Sequence, residues 1–132
     1  MVVEELAAFL VSQGLAVLST DTWLHVMDEK PDEAMSIIEY AGEEPEYIQD
    51  NPKVDLENPR VQIAVRSIRP EVARLRAERV YQSLMAIRNE TLNGTRILWC
   101  QPIDTPALLG RDESGRFLVT TNFRVLKELT NV

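Results

Sequence analysis

The sequence predicts an α+β sandwich: a mostly antiparallel sheet of about four to five strands with two helices packed on one side. Three observations carry this. Two segments, one near the N-terminus and one after Pro70, repeat apolar residues at helical spacing. Other segments alternate apolar and polar residues, as half-buried strands do. Tight-turn residues join neighbouring strand segments, which favours antiparallel pairing over crossovers.

Residues 2–13, VVEELAAFLVSQ, set Val3, Leu6, Phe9 and Leu10 on one helical face, and Gly14 follows as a left-handed stop. DTWLHVM at 21–27 reads as a short strand that would put Trp23, His25 and Met27 on one face. DEKPDEA turns the chain through Pro31 and Asp32, and MSIIEYAG at 35–42 follows as a strand. Residues 43–59, EEPEYIQDNPKVDLENP, hold three prolines and six acids and read as a long acidic loop.

RVQIAVRSI at 60–68 begins with clean alternation: Val61, Ile63 and Val65 on one side, Arg60, Gln62 and Arg66 on the other. Pro70 suits the first turn of a helix running to about Ile87, in which Ala73, Ala77, Val80, Leu84 and Ile87 form a core-facing stripe. Leu75 and Met85 lie off that stripe. Asn93-Gly94 marks a hairpin turn into the strand TRILWCQPI at 95–103, with Pro102 placed for an edge or a bulge. In Gly110-Arg111-Asp112-Glu113-Ser114-Gly115-Arg116, Asp112 bonds the backbone ahead of it and Gly115 supplies a positive φ. The following strand points Phe117, Val119, Thr121, Phe123 and Val125 one way.

A chain of 132 residues, 45% hydrophobic and 27% charged, is expected to form one domain, residues 1–132. No apolar run reaches the ~20 residues of a membrane span, and acids stand where a secretory signal carries bases, so synthesis in the cytoplasm is expected. The net charge of −7 is unevenly spread. Residues 1–59 hold fourteen acids and two bases, whereas residues 60–132 hold seven acids and twelve bases. Such asymmetry marks interaction with a charged partner, and that partner could be another copy of the same chain.

Signals for chemistry are sparse. The glycines at 110–115 have the wrong spacing for a phosphate loop, and no helix follows to present its N-terminus. The lone cysteine, Cys100, sits among apolar residues and reads as a small buried hydrophobe. The acids at 43–57 match no calcium loop. His25, the only histidine, would serve a small cytoplasmic enzyme only if it met Ser or Cys100 across the sheet. Arg74, Arg76 and Arg79 scatter around their helix rather than gathering on one side, which argues against specific DNA binding. Neither a cofactor nor a metal is expected. Arginine is the cation best suited to interface ion pairs. Glu43, Glu44, Asp50 and Asp55, with Arg74, Leu75 and Arg79, are therefore the candidate interface residues.

The segments ENPRVQIAVRS (57–67), TLNGTRIL (91–98) and LGRDESGRFLVTTNFRV (109–125) resemble a family of minor capsid proteins of long-tailed bacteriophages, itself similar to tail-terminator and tail-completion proteins. EELAAFLVSQGL (4–15) and IIEYAGEEPE (37–46) agree with it. The resemblance implies a structural virion protein without catalytic residues, made in the host cytoplasm. It would form a ring, hexameric in that family, capping the tail tube at the head–tail junction, with a head–tail connector role as the alternative. It also implies a tail tube protein and head–tail connector proteins as partners, with genomic DNA passing through the channel without specific binding. Asn58-Pro59-Arg60, Asn93-Gly94-Thr95, Gly110-Arg111-Asp112 and Gly115-Arg116 match the family's recurrent residues and read as turn and strand-edge determinants.

Overall fold

A computed structural model describes residues 2–47 and 55–128. The order is α1 (Val2–Ser12), β1 (Thr22–Leu24), β2 (Ala34–Tyr47), β3 (Asp55–Ser67), α2 (Pro70–Met85), β4 (Arg88–Leu92), β5 (Thr95–Pro102), β6 (Ala107–Arg111) and β7 (Phe117–Glu128). The strands join one curled sheet in the order β1-β2-β3-β7-β5-β4, with β6 also paired to β7. The expected four to five mostly antiparallel strands are thus corrected to seven in a mixed sheet, because β1 runs parallel to β2. The strands that escaped prediction lack an alternating apolar signature. β4 is the largely polar RNETL, and every residue of β6 is exposed.

β7 organises the sheet. One edge pairs with β3 along almost its whole length; the other is shared end to end by β6 and β5. Where β5 gives way to β6, the Asp104 carboxylate accepts hydrogen bonds from the Asn122 backbone N–H and side-chain amide, both at 2.8 Å. The Ile103 N–H closes the gap on the Asn122 carbonyl. A side chain thus satisfies ladder backbone where no strand is available.

The register places Val61 opposite Phe123, Ile63 opposite Thr121 and Val65 opposite Val119. With Met35, Ile37, Ile97, Cys100 and Val125, these buried residues form the face on which both helices pack. The predicted α2 stripe of Ala73, Ala77, Val80, Leu84 and Ile87 is fully buried there, and Val3, Leu6 and Leu10 of α1 complete the core. Two alanines in the stripe let α2 sit close to the strands; Leu84 and Ile87 each contribute about 1.5–3 kcal/mol of burial.

Two local expectations fail. The strand at 21–27 stops at Leu24, because His25 adopts φ 76° and Val26 turns away. Residues 43–47 and 55–59, expected as loop, continue the β2–β3 ladder, with Gly42 opposite Pro59 and Tyr47 opposite Asp55. The ladder accommodates Pro45 at a register shift between Glu43 and Glu46, on an edge strand whose missing N–H breaks no second ladder. Local composition loses here to pairing with a strand that is itself held by β7.

Candidate functional site

At the Phe117 end of β7, two arginines hold the 28–32 loop. Arg66, on the sheet face away from the helices, is 7% exposed. Its Nη2 donates to the carbonyls of Asp28, Glu29 and Pro31, and its Nε to that of Asp32. Arg116, also buried, bonds the Glu29 carbonyl and forms ion pairs with Glu29 at 3.0 Å, Asp32 at 3.6 Å and Asp112 at 2.8 Å.

Asp112 closes the β6–β7 turn. Its Oδ1 accepts from the N–H groups of Ser114 and Arg116 and its Oδ2 from the Arg116 guanidinium, while Gly115 takes φ 81°. The hydrogen bond from the Arg116 N–H, above the opposing cost of desolvation, holds the Asp112 carboxyl below the usual range. The glycine- and arginine-bearing motif is therefore a clamp that aims one arginine at a neighbouring loop. It is not a phosphate cradle.

Beside the clamp lies a groove of about 380 Å³ lined by Met27, Leu109, Leu118, Arg66, Gly110, Arg111 and Asp112. Its rim is β6, which pairs with β7 alone among the described residues and leaves Leu108 51% and Leu109 68% exposed. Neither the groove nor β6 was expected from the sequence. The only signal was a pair of leucines beside a glycine that takes φ 151° at a register shift.

Of the predicted interface residues, Arg74, Leu75 and Arg79 lie exposed on α2, and neither arginine pairs with a carboxylate among the described residues. Val72, Leu75 and Arg79 fall within about 60° on the helix, on the side away from the core stripe. Arg76 and Arg69, by contrast, are paired with Asp21 and Glu71. Glu43 and Glu44 lie on β2 and Asp55 opens β3, at the opposite end of the sheet from the clamp. Asp50 lies outside the described residues. Among the described residues no ion pair joins Arg74 or Arg79 to any of the predicted acids.

His25 is exposed, and its backbone N–H bonds the Ile37 carbonyl. Cys100 is buried on the core face, where desolvation pushes its thiol up to about 12, so it is inert at neutral pH. The two do not form a nucleophile–base pair. Among the described residues no three His, Cys, Asp or Glu side chains gather as metal ligands. Among the described residues the surface presents an apolar-rimmed groove with an open strand edge, and two exposed α2 arginines, Arg74 and Arg79, that pair with no carboxylate.

A family model described as bacteriophage tail terminator protein matches residues 9–129. Among solved structures, a chain of the virion of a native gene transfer agent particle superposes with a TM-score of 0.60. At 12% identity, over 93% of this chain and 86% of that one, the likeness is one of fold. No curated protein matches.

Proposed function

This chain belongs to the bacteriophage tail terminator family, and from that premise we propose that its copies close into a ring, six in number, that caps the tail tube and joins the tail to the head. Its role as a structural virion protein of the tail follows from the family. The ring, its stoichiometry and its junction position are the finer reading. The observation that carries it is the family match over nearly the whole chain, 9–129.

The surfaces of the fold support the reading. Head-to-tail contact needs two different, complementary patches on one subunit. The acid-bearing β2–β3 hairpin, with Glu43, Glu44, Asp50 and Asp55, is one kind of patch. The exposed side of α2 with Leu75 and Arg79 is another, facing a neighbouring subunit or the tube protein, and Arg74 projects from a separate side of the same helix. The tail tube, head–tail connector proteins and the chain itself are the partners in this proposal, and genomic DNA passes without specific binding. A chain with net charge −7 brings surplus negative charge to each position of a ring, and acids along a lumen would repel passing DNA.

The test is absolute mass by light scattering across protein and salt concentration, followed by negative-stain imaging with purified tail tubes. A closed ring, alone or only at tube ends, is the expected result. A monomer that ignores tubes at every concentration would overturn the ring and shift the assignment to a head-side connector.

A further inference from the structure

β6 is an open strand edge beside a cationic, apolar groove. All five of its residues are exposed, and among the described residues it pairs on one side only. A free edge carrying two exposed leucines is a ready template for another extended segment.

The groove has a charge preference as well. Arg66 lines it, and among the described residues its Nη1 makes no hydrogen bond, while Nε and Nη2 are occupied by four carbonyls. Nη1 is not a buried, unpartnered atom, so it keeps contact with solvent. Arg111 adds a second guanidinium, 5.6 Å from the Phe117 ring centroid. The one carboxylate lining it, Asp112, is committed to Arg116, and the Glu29 and Asp32 carboxylates already act on Arg66, so Arg111 carries the groove's open positive charge. Through Arg111 the groove favours an extended segment that carries carboxylates.

The same chain displays such a segment. β2 pairs with β1 only from Met35 to Ile37, and beyond Ile37 no strand lies along its outer side among the described residues. That unpaired stretch, from Ile38 to Tyr47, carries Glu39, Glu43, Glu44 and Glu46. Within one subunit β3 and β7 lie between this stretch and β6, and its Tyr47 end lies past the Glu128 end of β7, about 35 Å along the strands from the β6 pairing near Phe117.

Resting on the ring reading above, we propose that the open edge of β2 in one copy adds to β6 of the next, bringing an acid-bearing segment to Arg111. The contact is heterologous, with each subunit donating one edge and receiving another, and it closes when the rotation between copies permits.

Three variants test it in the full chain: Leu109→Glu and Arg111→Glu on β6, and the double reversal Glu43→Lys/Glu44→Lys on β2. β6 is exposed, so its two variants are expected to fold, and thermal melts and circular dichroism check all three. Each should weaken self-association by about tenfold or more by light scattering, and combining Arg111→Glu with the β2 reversal should restore part of it. An equimolar mixture of the Leu109→Glu protein and the β2 variant should yield dimers and no rings, because each retains one competent edge. Hydrogen exchange on the wild type should show β6 amides protected on assembly.

Variants that form rings at wild-type concentrations, or β6 amides that exchange equally fast in free and assembled protein, would overturn the strand contact and leave the ring reading standing. Loss of assembly by both variants with no dimer in the mixture would overturn the head-to-tail pairing. A wild type that forms no ring with or without tubes would remove the ring reading and this contact with it.

Discussion

Lys127 illustrates how little of the chain's electrostatics is visible residue by residue. It occupies the core face of β7, opposite Ile97 and Glu57, and is 1% exposed. Its ammonium pairs with the equally buried Glu5 of α1 and lies 3.4 Å from Glu57. A buried pair is sensitive to the loss of one partner, because the other is stranded in low dielectric. Lys127→Met should destabilise the fold by about 3–5 kcal/mol in urea unfolding, and adding Glu5→Leu should recover much of that loss. Equal stability of the wild type and the single variant would show that the pair is not buried in solution. Asp112 makes the opposite case at the surface. Its carboxyl is lowered by the Arg116 N–H and then by the Arg116 guanidinium, against desolvation. A lowered native pKa means that its stabilisation is complete above the ordinary value of about 3.9 and is lost as the pH falls through the native one. The stability gap between wild type and Asp112→Asn should therefore be widest above pH ~4 and shrink in more acidic buffer. A gap that stays constant down to pH 2 would separate the turn from Asp112's charge. The turn was legible from the Asp and Gly spacing. The target of Arg116 was not, since Glu29 and Asp32 are more than eighty residues away in sequence.

At the scale of elements, α2 was the most legible. Pro70 opens it, and five core positions at helical spacing are all buried. Its other face is where assembly is argued. Arg79 is exposed and unpaired with any carboxylate among the described residues, so reversing its charge removes no internal contact. Arg79→Glu is expected to leave the melting temperature nearly unchanged and to weaken assembly more at low salt than at high salt, because screening reaches ~10 Å at 0.1 M. Assembly unaffected at every salt concentration would take Arg79 out of the interface. The strands divide by whether one face is buried. β3 and β7 were legible because a core covers every second residue, although Ala64 and Arg66 on the outer face of β3 are buried as well. β4 and β6 were illegible because neighbouring backbone, rather than apolar burial, holds them in place. The proline-rich 43–59 stretch was misread for a related reason: loop composition describes what a segment prefers alone, and β3 offered it a ladder.

For the molecule as a whole, the curl of the sheet around two helices sorts its surfaces. The clamp, groove and β6 sit at one end of β7 and the acid-bearing hairpin at the other. Acids of the N-terminal half occur at both ends, with Glu29 and Asp32 at the clamp and Glu43, Glu44 and Asp55 on the hairpin strands. The sequence by itself determined the helices, the two central strands, the core residues they bury and the segregation of charge. Those properties depend on spacings of a few residues and on counting, and no folding is needed to read them. Only the tertiary structure decided the mixed order of seven strands, the pairing of Lys127 with Glu5, the loop that Arg66 and Arg116 clamp, and the open edge of β6. Each depends on which distant backbone lies alongside, and the hydrogen bonds and ion pairs that result carry no local periodicity.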